Sequence, residues 1–116
     1  MKRDPRAFLN DLIEARQAIH QAIAGISLDE YGNSRLIRSS VDREFITIGA
    51  ALTQLSQLNQ ALFREIEQAP QIISFRNKLT HDYIGIDNRL VWGVITNNLP
   101  MLVDECCHFR LDREHP

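Results

Sequence analysis

The chain has 116 residues, a formal net charge of −2, 44% apolar residues and 24% charged ones. That is enough chain for one domain with its own core, expected to span 1–116, and it is too apolar to stay disordered. The near-neutral balance excludes a protein that coats nucleic acid through bulk charge, but not one with a single local basic site.

Strand signals are nearly absent, whereas helical periodicity is widespread. The first helix opens at Asp4-Pro5, a capping residue followed by proline at the first helical position. Phe8, Leu9, Leu12, Ile13, Ile19 and Ile23 form its apolar stripe, and Gly25 ends it. Ser27-Leu28-Asp29-Glu30 has the S-x-x-E pattern of a capping box and predicts a short turn of helix to Tyr31-Gly32. Asn33 or Ser34 opens the longest helix, with Ile37, Val41, Ile48, Leu52 and Leu55 inside and an end near Leu58-Asn59. Gly49-Ala50-Ala51 is a small-residue patch in its middle and suits close approach of a second helix.

A short segment from Ala61 to Glu67 follows. Pro70 then starts a helix that buries Ile72, Phe75 and Leu79 and stops at Tyr83-Ile84 before Gly85. Asp87 caps the next, with Val91, Val94 and Ile95 inside. Pro100 breaks or kinks it, Met101 to Phe109 is the last helical piece, and the tail from Asp112 is expected to fray. The expectation is all-α: an up-and-down bundle of four or five helices.

No apolar run reaches 18 residues and the start MKRDPRAFLND has no apolar signal core, so a soluble, cytoplasmic protein with no membrane partner is expected. Cys106 and Cys107 are adjacent and read as two reduced thiols partly packed in the last helix. His20, His81, His108 and His115 stand at no metal-ligand spacing, so no metal and no cofactor are expected.

Chemistry concentrates in Arg76-Asn77-Lys78-Leu79-Thr80-His81-Asp82-Tyr83. At 100° per residue, Arg76, Thr80 and Tyr83 share one stripe of the helix and Asn77 and His81 the next. Arg76 and His81 stand roughly 140° apart around the helix and about 7.5 Å apart along it. A permanent cation beside a group that titrates near neutral pH suits holding a phosphate and moving a proton. RNA cleavage without a metal needs little more: an imidazole as acid or base, and a guanidinium on the non-bridging oxygens of the phosphorane. Asn77 is placed to orient the imidazole or hold a sugar. Singly, each residue has an ordinary reading: a solvated arginine, a surface histidine, a tyrosine packed on a loop. Together they are harder to dismiss, since R-x-x-x-x-H-x-Y arises by chance in about one chain of this length in several hundred.

The same motif resembles the signature of the HepT-like branch of the HEPN superfamily, small all-helical ribonucleases often encoded beside a nucleotidyltransferase antitoxin. The resemblance extends from S-L-D-E-Y through I-G-A-A-L and F-R-N-K-L-T-H-D-Y-I-G-I-D to L-V-W-G-V-I. It implies a homodimer with the two motifs facing across a cleft, Arg76 and His81 as the catalytic pair, and Asn77 as polar support, with Thr80 beside it. It implies that Tyr83 is modified with AMP by an MntA-type nucleotidyltransferase antitoxin, for which ATP is the substrate. Many relatives carry I-G-E-A where this chain has I-G-A-A, so a supporting carboxylate from the long helix is not expected at Ala50, while Arg76 and His81 are unaffected.

The resemblance thus implies a metal-independent endoribonuclease, the toxin of a toxin–antitoxin pair, acting on tRNA or mRNA. Two other readings compete. One is a non-catalytic nucleotide-binding or assembly partner of a nucleotidyltransferase; the other is a plain dimerisation bundle.

Overall fold

A computed structural model describes residues 3–81 and 85–114, with side chains described as far as 109. Side-chain caps mark where five of the helices start. Helix α1 (Pro5–Ile23) opens under Asp4, whose carboxylate accepts the Arg6 amide at 2.8 Å. It closes through Ala24 into Gly25, whose φ of +76° is a left-handed conformation that side-chain-bearing residues avoid. Helix α2 (Leu28–Asn33) carries the reciprocal box: Glu30 N–H donates to Ser27 Oγ, and Ser27 N–H to Glu30 Oε1, both at 3.1 Å. Ser34 caps α3 (Arg35–Leu58), Asn59 caps α4 (Gln60–Glu65), and Asp87 caps α6 (Asn88–Gly93). Between the last two lies α5 (Ala69–His81), which carries the motif. Its expected end at Tyr83-Ile84 lies outside the described residues.

The chain is an all-α bundle, as the periodicity predicts, with α1, α3, α5 and α7 (Leu99–Glu114) as its long members. The three six-residue helices α2, α4 and α6 serve as connectors. Helix α3 packs against α1, α4 and α5, and α1 packs also on α7. Leu9, Leu12 and Ile19 of α1 meet Val41, Ile48, Leu52 and Leu55 of α3, Ile72 of α5 and Leu99 and Leu102 of α7 in one core. Phe45, absent from the expected stripe, is fully buried and meets the Phe75 ring edge-on at 5.0 Å, which fastens α5 to α3.

At Pro100, where a break or a kink is expected, the helix widens instead of ending. Helix α6 widens into a π turn over Val94–Asn98, where the Leu99 amide reaches back to Val94 O, and α7 begins with Pro100 as its second residue. Widening one turn before a proline relieves the clash of its ring with the preceding turn. Helix α7 also runs on to Glu114, past the Phe109 end that was expected and into the segment expected to fray.

Candidate functional site

Helix α5 is secured at its N-terminal end from a distance. The Glu105 carboxylate of α7 accepts the backbone amides of Glu67 at 2.7 Å and Gln68 at 3.1 Å. Asn98, in the π turn, donates its side-chain amide to Gln68 Oε1 at 3.2 Å and Gln71 Oε1 at 3.3 Å. Ala69, Ile72, Phe75 and Leu79 are buried beneath the helix. With that side committed to the core, Asn77, Lys78, Thr80 and His81 are left exposed.

Arg76 is treated differently from its neighbours. It is half-buried and leans onto α3 at Gly49. A Cβ built on Gly49 would stand 2.5 Å from Arg76 Nε, 2.8 Å from Cγ and 3.0 Å from Cβ, so only glycine admits the arginine stem in this position. One turn further on, Thr53 Oγ1 donates to Gly49 O at 2.8 Å and accepts from Arg76 Nη2 at 3.4 Å. The Nε–H is buried and finds no acceptor among the described residues, and an unmet buried donor costs about 1–3 kcal/mol. Among the described residues no carboxylate pairs with the guanidinium.

The other sequence-predicted residues fall into place unevenly. Thr80 Oγ1 donates to Arg76 O at 3.0 Å, an in-helix bond that leaves its lone pairs free. His81 and Asn77 face solvent, and no hydrogen bond joins either to the other or to Arg76 among the described residues. Tyr83 lies outside the described residues. The small-residue patch divides its roles: Gly49 receives Arg76, Ala51 is buried, and Ala50 is exposed in a groove between α1 and α3. Sequence reading saw the patch as a helix approach but missed that an arginine occupies it. The available signal was a glycine inside a long helix, where it destabilises by roughly 0.5–1 kcal/mol relative to alanine unless the space is needed.

A cleft of about 390 Å³ is lined by Tyr31, Arg38, Asp42, Leu79 and Asn88. Here the arginine is answered: Arg38 donates to the Gly32 carbonyl. Burial raises the Asp42 carboxyl above its ordinary range, and the Arg38 charge partly offsets this. Burial, then the Asp42 charge, push the Tyr31 phenol upward. Among the described residues no three His, Cys, Asp or Glu side chains gather as a metal site, and no helix is long and apolar enough to cross a membrane.

Comparison with known proteins bears on what these groups are for. Over 104 residues the chain is 30% identical to a putative RNase of Methanocaldococcus jannaschii, covering 90% of this chain and 94% of that protein. It is 28% identical over 102 residues to the probable ribonuclease HepT of Thermococcus cleftensis, covering 88% and 92% of the two chains. A putative RNase of Caldanaerobacter subterraneus subsp. tengcongensis is 25% identical over 103 residues, covering 86% and 88%. No solved structure matches. The family described as Ribonuclease HepT-like matches residues 12–109, which take in α3, α5 and the whole Arg76–Tyr83 motif, and the chain belongs to that family.

Proposed function

We propose that this chain is a metal-independent endoribonuclease and the toxin of a HEPN-type toxin–antitoxin pair. The observation that carries the reading is a guanidinium held against Gly49 and Thr53 with no carboxylate partner among the described residues, on the same helix as an exposed imidazole at His81. An arginine kept free of acid partners is available to a phosphate. His81, open to solvent, is free to take the proton from a 2′-hydroxyl or to give one to the departing 5′-oxygen. The Arg76 donors stabilise the charge that builds on the non-bridging oxygens as the 2′-oxygen attacks phosphorus. The products are a 2′,3′-cyclic phosphate and a 5′-hydroxyl. Asn77 stands next to Arg76 on the exposed surface, placed for a ribose or for the imidazole.

In this reading two copies pair so that their motifs share a cleft, which lets the Arg76 of one protomer act with the His81 of either. An MntA-type nucleotidyltransferase silences the toxin by transferring AMP from ATP to the Tyr83 hydroxyl, two residues from His81, with pyrophosphate as the leaving group. The added phosphate and base then occupy the groove and neutralise the cation.

The decisive assay uses purified protein and a mixed tRNA and mRNA substrate with chelator present. Cleavage should persist in EDTA and leave cyclic-phosphate ends. His81→Ala should lose about 10²–10⁴-fold in rate while keeping the helical spectrum of the wild type, because the side chain is exposed. Equal rates for wild type and His81→Ala would end the catalytic reading. Tight ATP or AMP binding without RNA turnover would replace it with a nucleotide-holding module. Intact mass after co-expression with the antitoxin tests the modification, which Tyr83→Phe should abolish.

A further inference from the structure

We propose that Gly49 and Thr53 of α3 are positioning residues that set where the Arg76 guanidinium sits. Two independent contacts make the case. The first is steric: the space a Gly49 side chain would fill is occupied by Arg76 Cβ, Cγ and Nε. Two of those atoms belong to the root of the side chain, not to its flexible end. An added methyl must therefore shift α5 away from α3 or force Arg76 into another rotamer. The second is polar: Thr53 Oγ1 spends its proton on Gly49 O and so turns a lone pair towards Arg76 Nη2. A hydroxyl that is already donating can only accept from the guanidinium, which fixes the direction of the contact.

Together the two contacts hold the arginine by its stem and by one terminal nitrogen. The Nε–H has no acceptor among the described residues, so packing of the stem against Gly49 and the Nη2 bond to Thr53 hold the group in place. A side chain held this way does not swing to meet substrate; it presents its remaining donors at a preset place. Preset donors are worth more to a charge-building step than mobile ones, and a misplacement of about 1 Å can cost about 10²-fold in rate. The effect on turnover rests on the ribonuclease reading above, whereas the placement of the guanidinium is measurable without it.

The test therefore has two readouts. In ¹⁵N-labelled protein the Arg76 Nε–H should give an exchange-protected signal, assigned by its loss in Arg76→Lys. Gly49→Ala should shift that signal and expose it to exchange. In RNA cleavage, Gly49→Ala should lower kcat about 10–100-fold with KM nearly unchanged. The same substitution should add nothing in an Arg76→Ala background, because the group it displaces is already gone. Thr53→Val should lower kcat, and Thr53→Ser should recover most of it. The Thr53 pair carries both readouts if Gly49→Ala does not fold. An Nε–H signal that is unprotected in the wild type, or unmoved by both Gly49→Ala and Thr53→Val, overturns the proposal. So does a Gly49→Ala loss that persists in full in the Arg76→Ala background. If the Nε–H responds as expected while the wild-type chain cleaves no RNA, the cradle stands and the ribonuclease reading falls.

Discussion

Two half-buried arginines of this bundle, Arg38 and Arg76, have opposite surroundings. Arg38 sits in a cleft with the Gly32 carbonyl as its acceptor and the Asp42 carboxylate as its neighbour. Arg76 is fixed by a glycine and a threonine, both uncharged, and its buried Nε–H has no acceptor among the described residues. A guanidinium surrounded by acceptors holds a fold together. One that is anchored but left unneutralised keeps its charge for something that arrives, and an anionic substrate is the natural candidate. Burial alone would have ranked the two together; the difference lies in their partners.

The largest expected effect inverts this pair. Arg76→Ala should reduce RNA cleavage about 10²–10³-fold with little loss of thermal stability, since it removes an unsatisfied donor. Arg38→Ala should leave the cleavage rate close to wild type and lower stability by about 1–2 kcal/mol through the lost bond to Gly32. Parallel melting curves and rate measurements decide it, and a silent enzyme from Arg38→Ala would reverse the assignment of the two arginines.

Next comes the platform beneath the motif. Glu105→Ala removes the acceptor for two amides at the start of α5 and should destabilise the protein by about 1–2 kcal/mol. Protection of the Glu67 and Gln68 amides in hydrogen exchange should fall with it; unchanged protection would mean that the carboxylate does not cap α5.

A smaller effect separates the clefts by pH. The folded-state pKa of Asp42 lies above its usual 3.8, so the folded protein carries an ionised Asp42 at a cost once the pH exceeds that range. The contribution to stability is fully present below the unfolded pKa and is lost as pH rises through the folded one. Asp42→Asn should therefore raise the melting temperature at pH 7, and the gain should shrink as the pH falls towards 3.8. A gain that grows on acidification would contradict the sign.

The smallest effect concerns Cys106, which is fully buried. Burial, with the charges of Glu105 and Cys107, pushes its thiol up to about 12. Alkylation at pH 8 should therefore modify at most Cys107 in the native protein and both thiols after unfolding, as read by mass. Rapid native labelling at Cys106 would show that α7 opens readily.

Much of the fold is legible in residue order because its cues are local. Asp4-Pro5, Ser27-x-x-Glu30, Ser34, Asn59 and Asp87 cap helices in the structure, each by a bond spanning two or three residues. The apolar face of α5 at Ile72, Phe75 and Leu79 likewise follows from spacing. Phe45 lies on the same stripe as Val41, Ile48, Leu52 and Leu55, at spacings of four and three, so its burial is equally legible in residue order. The π turn before Pro100 escaped because proline chemistry predicts a disturbance without saying whether the helix breaks or widens.

The motif residues themselves were visible as a string, and their helical register followed from arithmetic. What no local rule supplied was the company each keeps. Arg76 meets Gly49 and Thr53 across 27 and 23 positions, and Glu105 reaches the head of α5 across 38. Such pairings exist only once helices have packed, because side chains far apart in the chain become neighbours through the burial of apolar faces elsewhere. Residue order thus settled which groups share a helix. Packing settled that Arg38 meets a backbone carbonyl while Arg76 meets a glycine and a threonine, because those partners come together only when the helices dock.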